Sequence, residues 1–489
     1  MSAGSARSRV RPMKVLQVNR FFSNRGGAET VFFKTIGLLE RSGHEVVTFS
    51  MRDPDNLPSP YSDYFVEQVD LRGNRSLAGN LQPARWLAAS RALYSREARR
   101  KIEALIEATK PDVAHLHSIY HQLSPSIFGA LRRHRIPTVL TLHDYKLVCP
   151  SSLMFANGSI CERCRGGKFY HAVLQGCVHR SHLKGAFCAT ESYLHTALGL
   201  YKKGVDIYVA PSQFMKGQMA KFGLDAGRIV HVPNPLDIEG YKPSDSHEGY
   251  FVYTGRLEPA KGVATLLRAV AASTKARSVE LRVAGDGEQR AELEAFCRAE
   301  GLSNVKFLGW LPQKELASLL RRALFAVVPS QWYEVFSLAT LEAQAFGKTV
   351  IAARIGGIPE LVTDGDDGLL FEPGDVEGLS GKIETLLSDP DRAVEMGRRA
   401  RQRAERASDP AQQYRQLMAV YDRAMRMRGK SSSESATVEV GIPGTHLSNR
   451  QGSTAAASAT APPSGDGQDR GGASHEGRDT RGRVRHTPS

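Results

Sequence analysis

No stretch of this 489-residue chain approaches the ~18 to 20 uncharged apolar residues that a membrane-spanning helix requires, so a transmembrane protein is not expected. Residues 1–12 carry arginines but no apolar segment of the kind a secretory leader needs, and the expectation is a soluble, cytoplasmic protein. Basic residues are not gathered with interleaved aromatics; the arginines are scattered through helix-like stretches such as residues 392–406. That pattern argues against nucleic acid as the partner of a formal charge of +14, leaving anionic substrates or an acidic membrane face. From about Gly429 onward large apolar residues are almost absent, so the segment cannot bury enough surface to offset its ordering entropy. Residues 429–489, like 1–12, are expected to be disordered.

What is present suits two domains, because the chain is too long for one core and its 41% hydrophobic content can build two. Short apolar runs at 14–18, 43–50, 112–117, 137–143, 206–210 and 228–234 read as buried parallel strands with helical patterns between them. A polar stretch, residues 243–249, interrupts the series as a linker. A second series starts at 250–254 and continues at 279–284, 305–308, 325–328 and 349–352. The fold class is therefore α/β: two doubly wound, Rossmann-like domains facing across a cleft, at 13–242 and 249–408. An insertion at about 145–190 interrupts the first.

In such sheets ligands bind at the carboxyl edge of the strands, where helix-start amides point at an arriving anion. Glu334 falls in the turn after the strand at 325–328, and Glu342, eight positions on, should lie about two turns inside the helix that follows. Both carboxylates would accept hydroxyl hydrogen bonds; the bland alternative is helix-start capping. Arg256 and Lys261 flank the turn after the second domain's first strand, where a guanidinium fork and a point-charge ammonium can grip a diphosphate. Gly26 and Gly27 open the helix after the first strand, and Gly285, Gly287 and Gly309 end strands with no Cβ to obstruct a ligand. His143 ends a strand facing the same cleft. Cys149, Cys161, Cys164 and Cys177 offer four soft ligands with a C-x2-C turn, which suits structural zinc; reduced thiols or disulfides are the competing readings.

The run from Pro329 to Ala343, with Glu334 and Glu342, resembles the E-x7-E signature of the retaining glycosyltransferases of family 4, which share the two-domain GT-B fold. The resemblance extends over residues 13–421. It includes the R-x4-K element at Arg256 and Lys261, the glycine-rich loop at Gly26-Gly27 and the histidine at position 143. Within the family it resembles a subset with Leu-Val-Cys-Pro followed by Cys-x2-Cys. Pro235 stands where the family's N-G-V-D turn has glycine, so Asn234 is left out of the site.

The resemblance implies a nucleotide-diphosphate sugar as donor, no cofactor for catalysis, and a closing helix at 409–428 that crosses back to the first domain. Glu342 would bind the ribose hydroxyls, Glu334 the sugar hydroxyls, and His143 the transferred sugar. The amides of Val335, Phe336 and Ser337 would touch sugar and phosphate, while the loops ending at Gly285, Gly287 and Gly309 would border the base. The acceptor is a glycan or lipid-linked precursor at the membrane face, chosen by first-domain loops such as 51–81, with residues 85–101 as a basic contact. Two other functions stay open: a sugar-nucleotide 2-epimerase on the same scaffold, and a zinc-stabilised, non-catalytic protein that binds anionic glycan.

Overall fold

The computed structural model describes residues 11–68 and 90–429. The terminal disorder expectations, part of the 51–81 acceptor loop and the start of the 85–101 basic stretch lie outside the described residues. No helix among those described is long and apolar enough to cross a membrane.

In chain order the first half supplies β1 (Lys14–Val18), β2 (Glu45–Phe49), β3 (Val113–Leu116), β4 (Thr138–Thr141), a short antiparallel hairpin of β5 (Phe155–Ala156) and β6 (Ser159–Ile160), then β7 (Ile207–Ala210) and β8 (Ile229–His231). Apart from the hairpin these form one parallel sheet in the order β2-β1-β3-β4-β7-β8. The second half supplies β9 (Phe251–Thr254), β10 (Leu281–Ala284), β11 (Val305–Gly309), β12 (Phe325–Val328), β13 (Thr349–Ala353) and β14 (Gly368–Phe371), parallel in the order β11-β10-β9-β12-β13-β14. Central strands such as Phe325-Ala-Val-Val328 are buried at every residue because helices cover both faces, which is why they read as continuous apolar runs.

In each sheet the chain first winds outward one way and then returns to the other side of its first strand. The order therefore reverses between β1 and β3, and between β9 and β12. At such a point the loops leaving adjacent strands part in opposite directions and open a crevice at the carboxyl edge. The loop with Arg256 and Lys261 leaves β9, and the loop with Glu334 leaves β12.

The helix Pro410–Met427, capped by the Asp409 carboxylate, lays Leu417, Val420, Tyr421 and Ala424 against Val15, Val113, Val139 and Ile207 of the first sheet. Two expectations need correcting. Ser337 caps the helix Leu338–Ala345, so Glu342 is its fifth residue and begins the second turn instead of lying two turns deep. The strand β14 follows Asp364-Gly-Asp-Asp367, a run whose turn chemistry hides the four apolar residues after it.

Candidate active site

β12 ends at Val328, and the chain turns through Pro329 to Phe336 before the Ser337 hydroxyl accepts the Thr340 amide at 3.3 Å to start the next helix. Glu334 is buried in this turn, and its Oε1 accepts from Lys261 Nζ at 2.7 Å and from Ser330 Oγ at 2.6 Å. The Lys261 ammonium also lies 5.0 Å from the centroid of the Trp332 ring. Burial pushes the Glu334 carboxyl up, but the Lys261 charge, its hydrogen bond and that of Ser330 outweigh burial, and the net shift is downward. Among the described residues, no hydrogen-bond acceptor meets the amides of Val335, Phe336 or Ser337, which leaves donors at the helix start. Across the cleft, Ser212 Oγ of the first domain donates to the Val335 carbonyl at 2.7 Å.

The close approach of the two loops is steric in origin. Gly262, at φ +70°, sits where a Cβ would be 1.9 Å from the Pro329 carbonyl oxygen, so only glycine lets Lys261 reach Glu334. From the other side, a Cβ at Gly356 would lie 2.4 Å from the Glu334 nitrogen, while the Gly357 amide donates to the Glu334 carbonyl at 2.7 Å. Gly356 and Gly357 thus fix the Glu334 turn. Their signal, a glycine pair shortly after the strand at 349–353, was present in the sequence and is not among the residues singled out from it.

The remaining expected residues divide. Arg256 is not drawn into the Lys261–Glu334 cluster; it is solvent-exposed, with Nη1 2.7 Å from Glu258 Oε1. Glu342 accepts from the Tyr241 hydroxyl at 3.3 Å, and Lys34 Nζ of the first domain donates to the same hydroxyl at 3.3 Å. Burial raises the Glu342 carboxyl, only partly offset by Lys34 and Tyr241. At Gly285 and Gly287 a Cβ would strike the Gly255 oxygen at 1.8 Å and the Leu257 oxygen at 2.4 Å, so the neighbouring loop by itself already demands glycine. Gly309, at φ +73°, closes β11 near the Arg290 guanidinium. Gly26 is extended and precedes the helix Gly27–Arg41, while a Cβ at Gly27 would be 3.2 Å from Leu338 of the second domain.

His143 is the outer member of a buried chain that the sequence reading missed. His117 Nε2 donates to Gln17 Oε1 at 3.2 Å, so the neutral ring accepts at Nδ1, where His143 Nε2 donates at 2.8 Å. Gln17 Nε2 donates to the Tyr421 hydroxyl at 3.3 Å, and His115 sits between two hydroxyls, its Nδ1 2.8 Å from that of Tyr421 and its Nε2 2.7 Å from that of Thr141. Burial holds all three imidazoles down, His143 to about 4 and, with help from the His143 charge, His115 to about 3; His117 falls well below its usual value, with His115 and His143 adding to burial. The direction of donation leaves His143 Nδ1 as an acceptor. The alternation His115-Leu-His117 at the end of β3 was the available sign that both rings share one face.

In the cysteine segment Cys164 packs with Phe169, Ala172 and Ala189, and Cys149 joins the first domain's core. All six cysteines are free thiols. Burial raises the Cys177 thiol to about 11, with Cys149 and Cys161 adding to it, and Cys164 is raised further by burial and by Cys149, Cys177 and Cys161. The four sulfurs are therefore neighbours and suit zinc chemically. Yet among the described residues no three of them lie within 4.8 Å of one another, wider than ligands of one ion. His121, Cys188 and Glu191 do meet that spacing, but Lys146 Nζ stands 2.7 Å from Glu191 Oε2 and supplies the cation internally.

Residues 25–239 match the family described as Glycosyltransferase Family 4, and residues 238–403 match the family described as Glycosyl transferases group 1. A glycogen synthase of Mycobacterium tuberculosis (strain CDC 1551 / Oshkosh) is 29% identical over 379 residues, covering 75% of this chain and 83% of that protein. A D-inositol 3-phosphate glycosyltransferase of Corynebacterium kroppenstedtii is 37% identical over 189 residues, 37% of this chain and 42% of that one. Among solved structures, sucrose-phosphate synthase from Thermosynechococcus elongatus aligns with a TM-score of 0.62 at 20% identity over 83% of this chain and 99% of that one. Anabaena Alr3699/HepE, in complex with UDP and glucose, aligns at 0.56 and 20% identity, covering 83% of this chain and 98% of that one. At that identity the structural likeness speaks to fold.

Proposed function

The chain belongs to the GT-B glycosyltransferases of the family 4 type, and on that premise we propose that it transfers a sugar, with retention at the anomeric carbon, from a nucleotide-diphosphate sugar to a hydroxyl acceptor. The observation that carries the reading is the Lys261–Glu334 pair, 2.7 Å apart at the switch point, beside three helix-start amides with no acceptor among the described residues. Lys261 and those amides stabilise the charge that develops on the departing nucleotide diphosphate, and the exposed Arg256 exchanges its partner Glu258 for the diphosphate to join them. Glu334 and the His143 Nδ1 accept hydroxyl hydrogen bonds from the sugar, and Glu342 exchanges Tyr241 for the ribose.

Glu334 and Glu342 stand on one domain beside the donor, so no carboxylate pair spans the scissile bond as in glycosidases. The acceptor hydroxyl then attacks from the face that the diphosphate leaves, with no protein nucleophile. A polysaccharide or lipid-linked glycan precursor is the acceptor class. Structural zinc at Cys149, Cys161, Cys164 and Cys177 would need those sulfurs to close up, and carries no step here; zinc far below one equivalent per chain in protein purified without chelator rejects it.

The test is a panel of nucleotide sugars, beginning with UDP-glucose because Alr3699/HepE is solved with it. A true donor at about 100 times its Kd should stabilise the fold by about 2.7 kcal/mol in a thermal-shift assay. Proton NMR of the product from an α-linked donor should then give an α-glycoside. A β-product would overturn retention, and accumulation of an epimerised sugar nucleotide without acceptor would favour the 2-epimerase.

A further inference from the structure

The helix His182–Ala197 is patterned against its position in the fold. The side turned inward carries Gly185, Cys188, Ala189, Glu191, Ser192 and His195, all buried. Leu183, Phe187, Leu194 and Leu198 follow one another at helical spacing along the outer side; Leu183, Leu194 and Leu198 are 72%, 40% and 50% exposed. Tyr170 and Leu174 of the preceding short helix extend this surface, and the Tyr193 hydroxyl ties the two helices by accepting the Tyr170 amide at 3.2 Å. Six of the eleven exposed large apolar side chains among the described residues lie between 170 and 198, so they form a patch and not a scatter.

The charge around the patch is of one sign. Between residues 163 and 205 the only acidic side chain is Glu191, which is buried against Lys146. The same interval exposes Arg163, Arg165, Lys168, Arg180, Lys184, Lys202 and Lys203, and none of them makes an ion pair among the described residues. Elsewhere on the surface arginines are commonly paired, as Arg398, Arg399 and Arg401 are. A second copy docking here would set these cations against each other. An apolar helix face in a segment that carries unpaired cations and exposes no acid between residues 163 and 205 matches the acyl boundary and headgroups of an anionic lipid surface.

We propose that this face docks the protein on anionic lipid, with the helix His182–Ala197 lying in the headgroup plane. The inference stands apart from the transferase reading.

The test is co-sedimentation of the full chain with vesicles of phosphatidylcholine, alone or with about 30% phosphatidylglycerol, at low and high salt. Binding should require the anionic lipid and weaken with salt. Leu183→Asp/Leu194→Asp, and separately Lys184→Glu/Lys202→Glu, should each lower the partition coefficient about tenfold or more with Tm unchanged, since all four side chains are exposed. Three results overturn the proposal: no binding to the anionic vesicles, binding that both variants retain, or a dimer in light scattering that the leucine variant dissociates while vesicle binding is unaffected.

Discussion

The two sheets share one strand order but load their switch points differently. Beyond β9 and β12 the loops hold an ion pair, the half-buried Lys261 with the buried Glu334, in reach of unpaired amides. Beyond β1, β3 and β4 the first sheet's ion pairs, Arg25 with Asp53 and Lys146 with Glu191, stand apart from the strand-end side chains Gln17, His115, His117 and His143, which form a neutral chain ending on Tyr421 of the closing helix. A diphosphate that gains charge as it leaves calls for fixed charge held in place by a counter-charge. A neutral sugar or acceptor calls for directional hydrogen bonds, which a string of uncharged imidazoles supplies without the cost of an unpaired buried ion.

The charged side should break first and hardest. Lys261→Ala should lower kcat about 100-fold or more, the scale of losing one preorganised donor at a developing anion. It should also cost about 3 kcal/mol of stability, because Glu334 is left buried without its partner. The double variant Lys261→Ala/Glu334→Gln should recover most of the urea midpoint and none of the turnover. Near-normal turnover in the single variant would remove Lys261 from the chemistry.

How legible each side was follows from the range of the interactions. The strands were readable because buried parallel strands are continuous apolar runs, and Lys261 and Glu334 were readable because a short motif fixes each to a strand end. The neutral chain was not, since it joins residues more than 400 positions apart, Gln17 and Tyr421, through a helix whose docking only the folded core decides. The same holds for Tyr241 and Lys34 at Glu342, which meet across the linker. Gly285 and Gly287 show the converse: glycines visible in the sequence, with a purpose that depends on which loop lies beneath them.

The neutral side carries a pH signature that the charged side lacks near neutrality. His115 is held down to about 3, whereas an unfolded imidazole titrates near 6.5. Between those values the unfolded chain binds a proton that the native chain refuses, so stability falls as pH falls. The contribution is fully present above about 6.5 and is lost at about 1.4 kcal/mol per pH unit below it. Glu334, shifted downward, acts in the same sense only below the ordinary carboxylate range. In urea titrations at pH 7, 6 and 5, His115→Gln should flatten the slope by about that amount; an unchanged slope would mean the ring is charged in the fold.

Tyr421→Phe makes the smallest and sharpest cut. It deletes one hydroxyl that accepts from Gln17 Nε2 and is hydrogen-bonded to His115 Nδ1, without emptying the helix–sheet contact that the ring makes. The stability loss should be about 1 to 2 kcal/mol, the cost of leaving buried partners unmatched. Freed from Tyr421, the Gln17 amide can turn over, which reverses the hydrogen bond to His117 and places the His143 proton on Nδ1 in place of Nε2. Nitrogen-15 NMR of the histidines should therefore show mixed tautomers at His117 and His143, with kcat reduced by less than in Lys261→Ala. A variant whose stability falls while the tautomers stay fixed would mean that the closing helix merely packs on the sheet, and that His143 is oriented from the cleft side alone.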